Sequence, residues 1–452
     1  MWMLCEAYSL RRPCRVELDG MHLGQRAYAL LVLTALLAIA GIWSSDPAFG
    51  ALWCIPGALL LLGLAYESVV VVRSTIVAGV ETAPRALLGR EQPAAFTFRN
   101  ESARSFAVEY APVLPEGFDA LTQVRRVVAP AHSVGRDPFT LVPVRLGAQL
   151  WPVLPARLLG PFGLAWWSRE LYPSGSVSVA PDTLRLGAAQ PRGNPSGPRA
   201  RRAVGAGAEL HQLRGYRYGD PLARIDWKAT ARTRQLVTRE FSEDQHLDIL
   251  IAIDAGRFSR VRAGALDRFG HYANAAARFA EIAAPNDDRV GLMVFSDRVL
   301  AECAPTRGLA AIARIRRALE ALRVESAESD PTAAAVRIRS LLKRRGLVIL
   351  LTDLDDANVA DPLVRAVQLL SPPHFVVVAG VRSPEIAKLA VGEAREWSDP
   401  WVALAAQEHE ARVALQRMLL RRLGAPVIVT PAEQLEKALL AQYEMLRRSR
   451  RV

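Results

Sequence analysis

Two aspartates close strongly apolar runs in the second half of this 452-residue chain: Asp254 ends IAID and Asp353 ends VILLTD. Thr332 stands in SDPTAAAV, where a helix-length segment opens ahead of the second run. In open α/β sheets, ligands gather beyond the carboxyl ends of strands at a topological switch point, which is where both aspartates fall. The same placement suits a structural use, with each carboxylate accepting backbone N–H groups of the loop or helix that follows. A second concentration of polar side chains is RGYRYGDPLARIDWKATARTRQLVTREF, residues 214–241. Asp220 suits a helix N-cap, Pro221 the first helical position, and 222–233 can run helical. On that helix Arg224, Lys228 and Arg232 fall at i, i+4 and i+8 as one basic stripe, while Leu222 and Ile225 share the face that packs on the domain. A stripe of this kind either pairs with carboxylates of its own chain or docks an acidic partner. Trp227 reads as an anchor buried under the helix.

These residues need a frame, and the pattern from residue 246 to 446 supplies one. Apolar runs at 247–253, 290–295, 347–352, 375–381 and 426–430 read as strands. Between them lie helix-length segments at 263–284, 308–322, 331–345, 358–370 and 402–423, with a last one at 431–446. Continuous apolar strands separated by amphipathic helices predict an α/β domain with a doubly wound parallel sheet covered on both faces. Residues 75–185 differ. Short alternating runs such as AAFTFRN (94–100), FAVEYAPVL (106–114) and SVSVAP (176–181) recur between prolines and glycines, the pattern of an all-β sandwich. Trp166 and Trp167 are adjacent and cannot both point inward on one strand. Residues 187–209, rich in Gly, Pro, Ala and Arg, read as a flexible linker, with a binding arm for anionic lipid as the alternative, and 210–245 hold the segment described above.

Residues 27–43 and 48–66 carry no charge. At 1.5 Å per residue they extend about 26 and 28 Å, close to the thickness of a bilayer's hydrocarbon core. Ser44-Ser45-Asp46-Pro47 makes a turn between them, and Trp43 and Trp53 stand near their ends. The expectation is a transmembrane hairpin preceded by a charged segment, 1–26. Arg11, Arg12, Arg15 and Arg26 precede the first span, Arg73 and Arg85 follow the second, and the intervening loop has no Lys or Arg. The positive-inside rule then places both termini and the remaining chain in the cytoplasm, on an inner, multi-pass membrane protein.

Four scattered cysteines (5, 14, 54, 303) lack metal-ligand spacing and predict no disulfide at a reducing address. A net charge of +12 invites nucleic acid, yet only four of the 57 basic residues are lysine, which points to codon bias, and no interleaved aromatic–basic motif occurs. No nucleic-acid partner is expected. The G-x-x-x-x-G-K-[ST], G-x-S-x-G and H-E-x-x-H motifs are absent, and the seven histidines are dispersed, so no catalytic residue is assigned and the chain reads as non-catalytic.

Tyr216, Gly219-Asp220, Arg224, Ile225-Asp226-Trp227-Lys228, Thr230-Ala231-Arg232, Leu236 and Arg239-Glu240 together resemble the signature of the bacterial "domain of unknown function fifty-eight" family. The stretch LGPFGLAWWSRELYPSGSVSVAP (159–181) is similar to that family's PFGL turn, which leads into the last strands of its sandwich. The resemblance implies membrane anchoring, a von Willebrand A-like domain after the signature, and work beside MoxR-type AAA+ ATPases in assembling or maturing protein complexes. It also implies a metal site: Asp254, Thr332 and Asp353 match by position the adhesion-type site that surrounds Mg²⁺ with D-x-S-x-S, a threonine and a second aspartate. The serines do not match. Gly256 and Phe258 occupy both positions, and Ser259 is one residue out of register. The expectation is therefore a degenerate site without a cofactor, with Mg²⁺ binding or catalysis through Asp254 and Asp353 as the alternative. Arg224, Trp227, Lys228 and Arg232 are the expected partner-binding residues.

Overall fold

The computed structural model describes residues 20–43, 50–115, 117–118, 123–183, 204–205, 209–242, 246–322, 327–355, 357–382, 384–391 and 396–449. Most of the 187–209 linker, the 44–47 turn and most of the N-terminal segment lie outside these residues. The chain divides into two units. One is Met1–Pro181 with Gly264–Gly270 and Leu319–Arg323, and the other is the remainder.

The first unit begins with helices Gln25–Ile42 and Cys54–Arg73, each long and apolar enough to cross a bilayer. Leu31, Val32, Leu36 and Ile39 of the first helix are exposed, as are Leu59, Leu61 and Leu62 of the second. Only 6% and 22% of their most apolar stretches are buried, so protein covers little of this surface. The second helix runs past residue 66 and takes in Glu67, which is wholly buried. Its carboxylate accepts the N–H groups of Phe162 (2.8 Å), Leu164 (3.2 Å) and Ala165 (3.0 Å), which belong to the PFGL turn and the strand after it.

Between this hairpin and residue 181 every regular element described is a strand. The largest sheet has five strands, in the order His22–Leu23, Ala165–Leu171, Leu154–Leu159, Phe106–Tyr110 and Arg125–Ala129, all antiparallel. Ile76–Glu81, Gln92–Asn100 and Ser133–Leu141 form a second sheet, and Arg85–Leu87, Ser176–Ala180 and Gly147–Leu150 a third. Period-two alternation puts Phe96, Phe98, Phe106, Val108, Tyr110, Leu154 and Leu158 into one core. The tryptophan pair separates as adjacent strand residues must. Trp167 packs against that core, and Trp166 lies under the Arg126 guanidinium at 4.8 Å.

The second unit is built on a six-stranded sheet in the order Val299–Arg307, Arg289–Phe295, Asp248–Asp254, Leu347–Leu351, Phe375–Val381, Val427–Thr430. Five of these strands are the predicted ones and run parallel. The sixth corrects the expectation of a purely parallel sheet: Val299–Arg307 pairs antiparallel with Arg289–Phe295. This edge strand buries only alternate residues toward its end and carries Glu302, Pro305 and Thr306, so it lacks the continuous apolar run of a central strand. Leu347–Leu351 is buried at every position, as a strand covered on both faces requires. Helix Pro384–Val391 is also absent from the sequence reading.

Candidate functional site

The 210–245 segment forms a small module of strands Val204–Gly205, Val237–Ser242 and Glu209–Gly215, with helix Trp227–Thr233 carried in the connection. Its charges mostly hold the module together. Arg214 donates to both oxygens of Asp220 (2.8 and 2.9 Å) and to Glu240, which also accepts from Gln212 at 2.7 Å. The bonds from Arg214, then from the Arg217 N–H, pull the Asp220 carboxyl down to about 2. Asp226 lies 3.6 Å from Arg239 and caps the helix by accepting the Ala229 N–H at 2.9 Å. Thr230 accepts the Val237 N–H at 3.0 Å.

This network corrects the predicted helix. Asp220 is not its N-cap, because its carboxylate is taken by Arg214 and the Arg217 N–H (2.9 Å). Residues 222–224 form one 3-10 turn, Ile225 is extended and bridges Thr238, and the α-helix starts only at Trp227. Arg224 therefore stands outside the stripe, while Lys228 and Arg232 remain one helical turn apart. Ile225 is buried (2%) as expected, but Leu222 is not, at 69% exposed. Trp227 is no buried anchor either: as the first helical residue after the capping Asp226 it is 65% exposed. Tyr218, Leu213 and Leu236 are exposed on the same module.

Asp254 and Asp353 are brought together at the carboxyl ends of strands Asp248–Asp254 and Leu347–Leu351. With Gly256, Arg257, Phe258, Ser259, Ser329 and Val359 they line a chamber of about 10 Å³, room for one water at most. Both carboxylates are buried. Asp254 accepts the Gly256 N–H (2.8 Å) through one oxygen and the Thr352 hydroxyl (2.6 Å) through the other. Asp353 accepts the hydroxyl of fully buried Tyr272 at 2.7 Å. Thr332 is not among the lining residues: its hydroxyl donates to the Pro362 carbonyl at 3.2 Å, and Asp330 caps its helix. Ser329, absent from the sequence reading, takes the place beside the carboxylates. A Cβ added at Gly256 would meet the Ser329 Cβ at 2.9 Å and Asp254 Oδ1 at 3.0 Å, so a serine cannot stand at 256 without displacing them. Ser259 turns its hydroxyl to the Gly256 carbonyl at 2.6 Å, not to either carboxylate. Carboxylate oxygens of both aspartates already accept protein donors, and among the described residues no three His, Cys, Asp or Glu side chains cluster to hold a metal.

The signature module and most of the six-stranded sheet lie within the span that compares with known proteins. Residues 212–419 match the family model "Protein of unknown function DUF58". Uncharacterized proteins of Mycobacterium bovis and Mycobacterium tuberculosis are 26% identical over 245 residues, covering 50% of this chain and 74% of theirs. Among solved structures, proximal thread matrix protein 1 of the mussel byssus has a TM-score of 0.27 at 15% identity, covering 45% of this chain and 46% of that one. A CARDB domain from Pyrococcus furiosus has a TM-score of 0.14 at 10% identity, covering 22% and 89%. At those scores neither informs the fold. The DUF58 span starts inside strand Glu209–Gly215 and ends inside helix Asp399–Arg422, leaving the apolar helices and the all-β region outside it.

Proposed function

We propose that this chain is a membrane-anchored, cytoplasm-facing interaction protein whose signature module docks a partner protein. The family resemblance suggests a MoxR-type AAA+ ATPase, acting with it in assembly or maturation of protein complexes. One observation carries the reading. The module's carboxylates are consumed by its own arginines, while Tyr218, Leu222 and Trp227 stay exposed on the ion-paired frame beside Lys228 and Arg232. Aromatic anchors with a cationic margin are the composition of protein-binding surfaces. The two uncovered apolar helices support the anchor, and the arginine bias around them supports the orientation. We read the six-stranded sheet as a von Willebrand A-like platform and the Asp254–Asp353 pair as a structural pin of that platform, not as a catalytic or Mg²⁺ centre.

The test is recovery of the MoxR-type ATPase from detergent-solubilised membranes, with and without ATP, using the full chain and two variants. Trp227→Ala and the pair Lys228→Glu with Arg232→Glu are expected to lose the ATPase with unchanged melting. Salt should weaken the wild-type association, since exposed charges are screened. Retention of the ATPase by both variants overturns the docking surface. Unfolding of the charge-reversed variant would instead make those cations internal fastenings.

A further inference from the structure

We propose that residues 160–165 of the all-β region are seated in the headgroup–acyl boundary of a bilayer, with Phe162 as the side chain that enters it. The inference rests on the membrane-anchor reading above and adds a third contact to the two helices.

The turn packs against the ends of both helices. Leu164 packs with Ala27 and Leu60, and with Leu23, Leu30 and Leu64 around them. Ala27 is the first residue of one charge-free span, Leu64 and Leu60 lie two and six residues inside the end of the other, and the Leu164 backbone bonds Gly24 and Glu67 just beyond both, so the turn sits at that end of the hairpin with the Leu164 side chain directed inward. Two glycines let it in. A Cβ at Gly63 would come within 2.6 Å of the Leu164 side chain, and one at Gly160 within 2.2 Å of the Glu67 carboxylate.

A non-helical backbone at the edge of the hydrocarbon needs its polar groups satisfied by protein, because hydrocarbon offers no partners. This turn meets that demand almost group by group. The Phe162, Leu164 and Ala165 N–H groups donate to Glu67. Gly163 N–H donates to the Gly160 carbonyl (2.9 Å) and Gly160 N–H to the Ala165 carbonyl (3.0 Å), and Pro161 has no N–H. The Leu164 carbonyl accepts Gly24 N–H at 2.6 Å, and the Phe162 carbonyl accepts Arg26 Nη1 at 2.8 Å. A turn exposed to water would need none of these side-chain partners.

Phe162, 51% exposed, projects from this sealed backbone and meets the Tyr66 ring at 5.5 Å between centroids. The Arg104 guanidinium lies over the other partner, 5.4 Å from the Tyr66 centroid. Aromatic rings with arginines beside them at the end of an apolar helix pair fit the headgroup layer, where rings lie at the acyl boundary and cations meet anionic lipid. Phe162 meets the second helix at Tyr66, itself exposed, so the medium that covers that helix end also covers the turn.

The experiment uses the full chain with Cys5, Cys14, Cys54 and Cys303 changed to Ala, reconstituted in phosphatidylcholine vesicles containing phosphatidylglycerol. A nitrobenzoxadiazole fluorophore is placed singly at Phe162→Cys, Leu61→Cys or Tyr172→Cys. The residue-162 label is expected to shift to the blue, lose most of its emission to a spin label carried high on the acyl chain, and resist aqueous iodide. The residue-172 label, on an exposed site of the same unit, should respond to iodide alone. Iodide quenching at 162 equal to that at 172, with the Leu61 label still quenched by lipid, overturns the seated turn and spares the anchor. A residue-162 label shielded from both quenchers overturns it in favour of a protein contact. A Leu61 label open to iodide defeats the anchor reading itself.

Discussion

The Asp254–Asp353 cleft and the signature module both gather polar residues of the kind that perform chemistry, and they use them differently from each other. In the cleft the carboxylates point inward, onto Gly256, Thr352 and Tyr272, around a chamber of about 10 Å³ with room for one water at most. In the module Arg214, Asp220, Asp226 and Glu240 also pair internally, yet that pairing holds Tyr218, Leu222 and Trp227 outward. Charged residues serve as the frame in both places. What distinguishes the two is the apolar surface left uncovered.

Mutations separate the two regions most sharply. Asp254→Ala strips the acceptor from the Gly256 N–H and the Thr352 hydroxyl in a buried site, and urea denaturation should report a loss of about 3 kcal/mol. Mg²⁺ titration is expected to leave the wild-type melting temperature unchanged. A tight site at roughly 100 times its dissociation constant would add about 2.7 kcal/mol, and a shift of that size abolished by Asp254→Ala would restore the cleft as a metal centre. Tyr272→Phe, which removes the hydroxyl that donates to Asp353 and accepts the Val381 N–H, should cost about 1–2 kcal/mol. Asp226→Ala deletes the helix cap of the module and should cost about 1 kcal/mol. Trp227→Ala should stay within about 0.5 kcal/mol, the range of an exposed substitution, while abolishing partner recovery.

Acid titration ranks the regions the same way. Burial lowers the His271 value, and burial together with Arg339 lowers that of His374. Stability from these neutral histidines is complete above about pH 6.5, the ordinary histidine value, and is lost as pH falls through their lowered folded values. Asp220 is also lowered, but to about 2. Its contribution is complete above about pH 4 and disappears only as pH falls through 2. The sheet should therefore weaken as pH falls below about 6.5 while the Arg214–Asp220 pair persists, a sequence that hydrogen exchange resolves by segment. His374→Phe should flatten the upper part of the slope.

How much of this was legible follows from how far apart the interacting residues stand. The five parallel strands could be read because each is its own apolar run, independent of its neighbours. Strand Val299–Arg307 could not, since an edge strand buries alternate residues and Pro305 disguises it. The signature helix was read as twelve residues instead of seven because helical spacing ignores Ile225, whose bridge to Thr238 is made across a hairpin. Where that helix begins depends on which aspartate caps it, and Asp220 and Asp226 both qualify by type. Asp254 and Asp353 were found by their place at strand ends, but Ser329 has no motif and enters through packing against Gly256. Glu67 directly follows the charge-free span 48–66 and nothing local marks it, because its three donors lie 95 to 98 positions downstream.

That separation sets a schedule for biosynthesis. A ribosome adding about 5–20 residues per second delivers the 162–165 backbone roughly 5–20 s after Glu67 has been made. For that interval the second helix carries a carboxylate whose three native donors do not yet exist. The helical hairpin is thus completed by a segment nearly a hundred residues younger than itself, and the order of assembly is written into the chain: helices first, turn last, with Glu67 as the latch that closes when the late arrival docks.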